Sequence, residues 1–420
     1  MSAADGLVAR TRRLDSDADL LVVAGRDGWL FERDRVGVAG RGAALALDWP
    51  AGDPDAAAAT VASALAAIPC AVEEGLTGPG CGPVAFGARP FEPTAAARLV
   101  VPSVVVGRSE DGTCWVTTVA ASSGGDAAHD GLAATVVGAA PPAALPRPRQ
   151  VTVASALDPE DWCALVERAT KELDGGAMDK VVLARELALT ADRPFDPFAV
   201  LTYLRRRFPG CHVVSMDGLL AASPELLVSR AGDVVRSHPM AGTAPRGGDP
   251  TTDQRLAASL LASAKDRQEH QVTIDMVHDT LLPWCSYLDY EAEPSVVAVA
   301  NVQHLATLVQ GRLSRPAPSV LELVAALHPT PAVAGSPRDD AIAWILDHEG
   351  FDRGRYAGTC GWVDAAGNGA WAVTLRAAEL SGGSARVVAG NGVVPDSDPA
   401  AELAETNAKF EALLTALVRP

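Results

Sequence analysis

The sequence predicts an α+β fold in which mostly antiparallel sheet is covered by helices on its outside. Strand-like segments cluster without the regular alternation of strand and helix that is typical of parallel sheets. Short turns join several neighbouring strands, as they do between antiparallel partners. Apolar residues make up 48% of the 420 residues, which is enough for a large core. At about 150 residues per domain, this length allows two or three domains.

Few elements are predicted before a proline-rich connector at residues 139–150, where neither a helix nor a central strand can continue. Short apolar runs predict strands at residues 21–25 and 99–107. The alanine-rich segment 56–72 has its larger apolar residues at helical spacing and predicts an amphipathic helix. This segment is shorter than the roughly 20 residues of a membrane span, so no membrane partner is expected.

The rest of the chain is richer in regular structure. Strands are predicted at residues 180–190, 212–216, 225–230, 296–313, 359–364, 370–380 and 385–390. Helices are predicted at residues 159–173, 197–207, 252–282, 320–327, 338–347 and 398–418. The last helix has the clearest start, because Asp398 is a favourable N-cap residue and Pro399 occupies the first helical position.

Charge and cysteine content exclude several classes of partner. The net charge of −17 disfavours nucleic acids and anionic membranes, because both would be repelled. A small anionic substrate would also be repelled unless cations line its site, although screening limits this repulsion to roughly 8 Å. The seven cysteines form no CxxC pair, and the chain starts without an apolar signal segment. Both features predict reduced thiols in a cytoplasmic protein.

Two predicted helices carry acidic residues at spacings that suit a divalent cation. Glu402, Glu405 and Lys409 fall within an arc of roughly 60° on the last helix. Asp266 and Glu269 share one face of an earlier helix. Carboxylate and water oxygens are the ligands that Mg²⁺ prefers. Each pattern alone is more typical of a solvent-exposed charged face, with an ion pair between Glu405 and Lys409 in the last helix.

Lys180 and Glu225 are candidates for a general base and a general acid. Lys180 opens an apolar strand, where desolvation favours the neutral amine that accepts a proton. Glu225 enters another apolar strand, where burial raises the pKa of a carboxyl group and lets it donate a proton at neutral pH. The alternatives are a strand-end lysine that reaches water and an edge carboxylate at a turn. His270 is not a candidate metal ligand, because it points away from Glu269 around the helix.

Arg376 is predicted within the apolar strand 370–380, where a buried guanidinium needs a partner. A substrate carboxylate would accept two parallel hydrogen bonds from it, and an internal salt bridge is the alternative. Glycine-containing loops at residues 240–248 and 389–394 would let backbone N–H groups approach an anion, although neither loop matches a nucleotide-binding motif.

Nine ordered segments after residue 155 stand out as a set. They are DKVVLAR (179–185), SPELLVSR (223–230), HPMAGTAPRG (238–247), KDRQEH (265–270), QHLAT (303–307), LHPTPAVAGSP (327–337), RYAGTCGW (355–362), TLRAA (374–378) and GNGVVPDSDPAAELAET (390–406). Together they resemble the chorismate-utilising enzymes, a family of isochorismate, salicylate, anthranilate and aminodeoxychorismate synthases. The region before residue 141 resembles this family only loosely.

The resemblance implies two large, mostly antiparallel sheets sandwiched between helix layers. Residues 150–420 would form the chorismate-binding catalytic region, and residues 1–140 a variable part that completes the sheets within one structural domain. The resemblance also implies a monomeric enzyme that binds chorismate and Mg²⁺ and needs no glutaminase subunit.

Motif positions within this resemblance assign a role to each candidate residue. Lys180 would be the base that activates water, and Glu225 the acid that protonates the departing ring hydroxyl. Glu269 and Glu405 would be the Mg²⁺ ligands. Asp266 and Glu402 would be carboxylates that lie close to these ligands. The substrate-binding residues would be Thr243 and His304 at the ring, and Tyr356, Arg376, Gly392 and Lys409 at the carboxylates. The family usually has alanine between the two glycines that correspond to residues 390 and 392. This chain departs from that pattern, because it has Asn391 there.

Within the family, members that use ammonia typically have glutamine at the position of Lys180. By this resemblance, Lys180 favours addition of water. QHLAT (303–307) is similar to isochorismate-forming members, whereas salicylate synthases have HLGS. The expected protein is therefore an isochorismate synthase, an isomerase that adds water at ring position 2 with loss of the hydroxyl at position 4. A salicylate synthase is the alternative, followed by an anthranilate or aminodeoxychorismate synthase component. The product would serve menaquinone or siderophore biosynthesis.

A non-catalytic binding protein with the same fold is an alternative from a different functional class. Such a protein would be expected to lack Lys180, Glu225 or a metal-binding carboxylate, and this chain has all of them. The sequence therefore favours an enzyme.

Overall fold

The computed structural model describes residues 4, 6–50, 52–176, 178–299 and 302–420. Its helices are α1 Leu20–Ala24, α2 Pro54–Ala66, α3 Gly125–Ala134, α4 Pro159–Asp174, α5 Pro197–Arg207, α6 Pro250–Ala262, α7 Ala264–Leu281, α8 Val320–Leu327, α9 Arg338–His348 and α10 Pro399–Val418. Its strands are β1 Leu7–Leu14, β2 Trp29–Arg33, β3 Val36–Arg41, β4 Leu45–Trp49, β5 Cys70–Val72, β6 Val84–Arg89, β7 Ala97–Val101, β8 Val104–Arg108, β9 Cys114–Ala121, β10 Val151–Ser155, β11 Lys180–Ala191, β12 His212–Met216, β13 Leu219–Ser223, β14 Leu226–Ala231, β15 Val234–His238, β16 Met240–Pro245, β17 Cys285–Tyr290, β18 Ser295–Val299, β19 Val302–Ala306, β20 Val309–Leu313, β21 Gly335–Ser336, β22 Thr359–Asp364, β23 Gly369–Val373, β24 Ala377–Ser381 and β25 Ser384–Val393.

These strands form two large sheets and one small sheet. The first has 13 strands in the order β10-β11-β25-β24-β13-β12-β2-β3-β8-β9-β1-β5, with β21 paired to β11 at one side. The second has nine strands in the order β17-β20-β15-β14-β23-β22-β6-β7-β4, and the third has the order β16-β19-β18. In the described part of the chain β1 and β5 pair in parallel, and every other pair of strands is antiparallel.

The two large sheets pack face to face and are covered by helices on their outer faces. Phe31 and Val214 of the 13-stranded sheet form a common core with Phe86 and Trp362 of the nine-stranded sheet. Helices α1, α5 and α10 cover the outside of the 13-stranded sheet, and α2 and α8 cover the nine-stranded sheet. The predicted α+β class and the two-sheet sandwich are therefore confirmed. Among the described residues, no helix is long and apolar enough to cross a bilayer.

Strands from the first 140 residues occupy places in both large sheets. β1, β2, β3, β5, β8 and β9 belong to the 13-stranded sheet, and β4, β6 and β7 to the nine-stranded sheet. The connector 139–150 contains no helix or strand, as its prolines predict. This arrangement supports the proposal that residues 1–140 and 150–420 fold as one structural domain.

Two predictions in the N-terminal part are wrong. Residues 21–25 were expected to form a strand, but helix α1 occupies this position. Asp19 accepts a hydrogen bond from the Leu21 N–H at 3.0 Å, and Gly25 ends the helix with a positive φ of 65°. A short apolar run buried on all sides does not reveal its own period. The alanine-rich segment 56–72 was expected to be helical throughout. The helix ends at Ala66, and the last residues of the segment form strand β5.

Several segments predicted as single elements are broken in the structure. Residues 99–107 and 370–380 each contribute one strand to the nine-stranded sheet and the next strand to the 13-stranded sheet. Residues 296–313 form β18 and β19 of the small sheet and then β20 of the nine-stranded sheet. The helix predicted at 252–282 is α6 followed by α7, with Ser263 between them as the N-cap of α7. Apolar strands that cross between two packed sheets stay buried throughout, so their sequence does not mark the crossing.

A buried ion pair fixes the strand that begins at Lys180. Glu349 and Arg353 form this pair with side chains only 1% and 2% exposed. Glu349 accepts the backbone N–H of Ala184 at 2.8 Å, and Arg353 donates to the carbonyl oxygens of Val182 at 2.6 Å and Val333 at 2.9 Å. Charged hydrogen bonds of this kind hold β11 against the segment around residue 333.

Candidate active site

The predicted functional residues converge on one cavity between β11, β16, β19, β25, α7 and α10. Ten of them line it, namely Lys180, Glu225, Thr243, Glu269, His304, Tyr356, Arg376, Gly392, Glu405 and Lys409. The residues that line this cavity are buried or half-buried, and the side chains of Glu269 and Glu405 are 24% and 35% exposed. Asp266 and Glu402, which were expected to lie near the metal ligands, are not part of the lining.

Lys180 lies at the start of β11 and points at a carboxylate. Its Nζ donates to Oε1 of Glu269 at 2.6 Å, and the two side chains are 10% and 24% exposed. Burial raises the pKa of Glu269, but the charge and hydrogen bond of Lys180 outweigh burial and leave that pKa below its usual value. Lys180 is buried and does not reach bulk water as the alternative interpretation supposed.

Gly392 makes room for Lys180. It lies opposite Val182 in the pairing of β11 with β25. A Cβ atom at Gly392 would lie 2.4 Å from Cε of Lys180, which is far closer than van der Waals contact allows. A side chain at this position would therefore force the end of the Lys180 side chain to move.

Glu225 is a buried carboxyl group held in its neutral form. It immediately precedes β14 and is 2% exposed, so the alternative of an edge carboxylate at a turn is wrong. Burial raises the pKa of Glu225 to about 8, although the backbone N–H of Met240 and the charge of Lys180 act in the opposite direction. The group therefore carries a proton at neutral pH.

His304 and Arg376 form a polar pair in the wall of the cavity. Arg376 donates from Nη2 to Nε2 of His304 at 3.2 Å, so the proton of the imidazole lies on Nδ1. Nδ1 faces the hydroxyl of Thr243 at 3.1 Å and the carbonyl of Gly242 at 3.3 Å. Burial lowers the pKa of His304 to about 3 and the charge of Arg376 adds to this, so the ring is neutral. Thr243 and His304 are direct partners in the pairing of β16 with β19.

The position of Arg376 differs from the prediction. It was expected inside a strand, but it lies in the connection between β23 and β24 with a positive φ of 50°. It is buried, and within the described ranges no carboxylate lies at ion-pair distance from it. The alternative of an internal salt bridge is therefore wrong, and its guanidinium remains available to an anion in the cavity.

Lys409 and Tyr356 complete the polar lining. Nζ of Lys409 donates to the carbonyl of Gly390 at 2.8 Å and pairs with Oε1 of Glu405 at 2.7 Å. Lys409 is buried, so this side of α10 is not the solvent-exposed charged face that the pattern alone favoured. Burial raises the pKa of Tyr356, which keeps its hydroxyl as a neutral donor. With Lys180 and Arg376, the cavity contains three cationic side chains and suits an anionic ligand.

Glu269 and Glu405 are the carboxylates that a divalent cation could reach in this cavity. Within residues 4, 6–50, 52–176, 178–299 and 302–420, no group of three or more His, Cys, Asp or Glu side chains has the arrangement of a metal site. Mg²⁺ needs only one or two carboxylates, because water and substrate oxygens supply the remaining ligands. Two oxygen-donor side chains in one cavity fit that requirement.

Asn391 and Asp266 make contacts beside the cavity that contains Glu269 and Glu405. The Asn391 amide donates to both the carboxylate and, at 3.1 Å, the backbone carbonyl of Glu402. Burial raises the pKa of Glu402, and the charge of Glu405 adds to this effect. Asp266 packs against Gly242, where an added Cβ would lie 3.3 Å from the Asp266 Cβ.

Other residues of the cavity had no distinguishing signal in the sequence. The apolar walls come from residues that resemble ordinary core positions, namely Met240, Ala332, Val333 and Leu375. His270 points away from the cavity as expected, because its Nε2 lies 2.8 Å from the Thr307 hydroxyl.

Comparison with known proteins gives a consistent picture. The family described as "Chorismate binding enzyme" matches residues 29–418. Isochorismate synthase DhbC of Bacillus subtilis (strain 168) is 44% identical over 271 residues, which are 62% of this chain and 68% of that protein. Isochorismate synthase MenF of the same organism is 34% identical over 363 residues, which are 82% of this chain and 77% of that protein. The structure of the menaquinone-specific isochorismate synthase MenF from Escherichia coli superposes with a TM-score of 0.80 at 26% identity, covering 98% of this chain and 95% of that one.

Proposed function

The chain belongs to the family of chorismate binding enzymes, and we propose from this premise that it is an isochorismate synthase, a reversible isomerase. The observation that carries the proposal is the presence of Lys180 and the neutral Glu225 in one cavity with Arg376 and Lys409. A base, a proton donor and anion-binding cations are what the addition of water to a dicarboxylate requires.

In the proposed reaction, Lys180 takes a proton from the water that attacks ring position 2. Glu225 donates its proton to the hydroxyl that leaves from position 4, so the reaction neither consumes nor releases a proton overall. The same two groups exchange roles in the reverse direction, which makes the isomerisation reversible. Both groups are buried, with Lys180 8% and Glu225 2% exposed.

The substrate's two carboxylates would be held by the cationic side chains. Arg376, which has no carboxylate partner among the described residues, would bind one of them through two hydrogen bonds. Lys409 and the neutral hydroxyl of Tyr356 would add further donors. The neutral His304 and Thr243 would line the ring without adding charge.

Glu269 and Glu405 would hold a Mg²⁺ ion in this proposal. The ion would neutralise the ring carboxylate and favour departure of the hydroxyl. In the structure each carboxylate is paired with a lysine, at 2.6 Å to Lys180 and 2.7 Å to Lys409. A carboxylate bound to a cation would stabilise the ammonium form of Lys180 less, so Lys180 would lose its proton more readily and become the neutral amine that accepts a proton from water.

The product distinguishes the branches of the family. Purified protein given chorismate and Mg²⁺ is expected to yield a mixture of chorismate and isochorismate, with little salicylate at neutral pH. Liquid chromatography with a coupled pyruvate assay measures all three compounds. Stoichiometric pyruvate release would make the protein a salicylate synthase, and ammonium-dependent anthranilate formation would move it to the amination branch.

The pH dependence should report the proton on Glu225. Because burial raises the pKa of Glu225 to about 8, the protonated acid is present below that pH and is lost as the pH rises through it. We therefore expect kcat/KM for chorismate to fall about tenfold per pH unit above about pH 8. Folding is followed by circular dichroism over the same range as the control, and a kcat/KM that stays constant to about pH 9.5 would contradict the role of Glu225.

A further inference from the structure

A second cavity lies directly outside the active-site cavity. Lys180 and Glu269 are the two residues that line both cavities. The lining of the inner cavity is buried or half-buried, whereas several residues of the outer one are exposed, including Lys265, Gln268 and Val272. The paired side chains of Lys180 and Glu269 therefore lie between a more deeply buried cavity and one that faces solvent.

Lysine is rare in this chain and concentrated at these two cavities. Of the 35 basic residues only four are lysines, at positions 171, 180, 265 and 409. Lys180 and Lys409 line the inner cavity, Lys180 and Lys265 the outer one, and Lys171 neither of them. Three of the four lysines thus lie where a ligand would enter or bind.

Lys265 is the cation of the outer cavity that has no carboxylate partner at ion-pair distance within the described ranges. It lies in the first turn of α7, and Asp179 and Asp396 line the same cavity. Without Lys265, the rim outside the Lys180–Glu269 pair would carry only negative charge.

We propose that the outer cavity is the entrance for the substrate and that Lys265 is the cation that concentrates a dicarboxylate there. This inference rests on the proposed function, since chorismate carries two carboxylates. The net charge of −17 repels such an anion from most of the surface. A local cation within a cleft offsets this repulsion over a distance of roughly one Debye length, about 8 Å at physiological ionic strength. From the outer cavity the substrate reaches the inner one where Lys180 and Glu269 separate.

The test compares Lys265→Gln with Lys171→Gln, which removes the same charge from an exposed site on α4. We expect Lys265→Gln to lower kcat/KM for chorismate about three- to tenfold at low ionic strength, while kcat changes less than twofold. The difference from the parent protein should disappear at about 1 M salt, where the Debye length is about 3 Å. Lys265→Arg should restore the parent value, and Lys171→Gln should match the parent at every salt concentration.

Mg²⁺ binding separates this role from a role in the metal site. Calorimetry without chorismate should show Lys265→Gln binding Mg²⁺ as tightly as the parent or more tightly, since a nearby positive charge is removed. Weaker Mg²⁺ binding, a loss of kcat/KM that persists at high salt, or an equal loss in Lys171→Gln would each overturn the proposal. Calorimetric titration with chorismate at two salt concentrations gives the same comparison without turnover. A failure of isochorismate formation is therefore distinguishable from a failure of the entrance proposal.

Discussion

Replacement of Lys180 by alanine is expected to lower the rate of isochorismate formation by at least about 10²–10⁴-fold, the range typical of a general base. The expectation follows from a buried amine that lines the cavity with Glu225 and has one carboxylate partner. Turnover is measured by liquid chromatography and mass spectrometry, and chorismate binding by calorimetry. Because Arg376 and Lys409 remain, binding should change far less than turnover.

Two comparisons make the Lys180 result interpretable. Lys171→Ala removes an exposed lysine from the surface of α4 and should leave turnover unchanged. Mg²⁺ affinity should not fall in Lys180→Ala, because the lysine that pairs with Glu269 at 2.6 Å competes with a cation for that carboxylate. Near-normal isochorismate formation in Lys180→Ala would mean that the lysine is structural and that another group activates water.

Substitution of either Glu269 or Glu405 by alanine is expected to abolish turnover and to weaken Mg²⁺ binding strongly. Each change removes one of the two cavity-lining carboxylates assigned to Mg²⁺, and Mg²⁺ is held by very few protein ligands. Calorimetric titration with Mg²⁺ in the absence of chorismate measures the loss directly. Thermal unfolding followed by circular dichroism shows whether each variant is still folded.

Matched controls come from the same two helices. Asp275→Asn on α7 and Glu411→Gln on α10 remove exposed carboxylates that do not line the cavity, and both variants should behave like the parent protein. Parent turnover should stop when a chelator is in excess. Full turnover under chelation, or unchanged Mg²⁺ affinity in both alanine variants, would show that the metal assignment is wrong.

Local sequence signals located the parts of the site that lie on regular elements. The start of α10 follows from Asp398, which accepts the Ala401 N–H at 2.8 Å as an N-cap residue should. Helical spacing from that start places Glu405 and Lys409 on one side, and the structure has them paired at 2.7 Å. In the same way, the resemblance selected twelve residues from distant segments, and ten of them line one cavity, while Asp266 and Glu402 do not. Their catalytic roles remain predictions.

Features that depend on long-range packing could not be obtained from sequence patterns. The pairing of Lys180 with Glu269 joins residues 89 positions apart, and no local period encodes it. Arg376 was assigned to a strand because its neighbours are apolar, although the chain changes sheets there. The sequence distinguishes Lys265 only by its residue type, since it is one of only four lysines in the chain. Its meaning depends on the outer cavity, which only the fold reveals.

The crossing of the chain between sheets has a consequence for folding. Arg376 lies at the crossing from β23 to β24. Thr243 and His304, which line the same cavity, come from a small sheet whose strands precede another crossing. Contacts between residues so far apart in sequence form slowly, because long loops must close before the contacts are made. Each large sheet could acquire its own strands before the two sheets dock, but the cationic side chains proposed to bind the substrate would not yet share a cavity. Refolding followed by chorismate binding should therefore lag behind refolding followed by secondary structure.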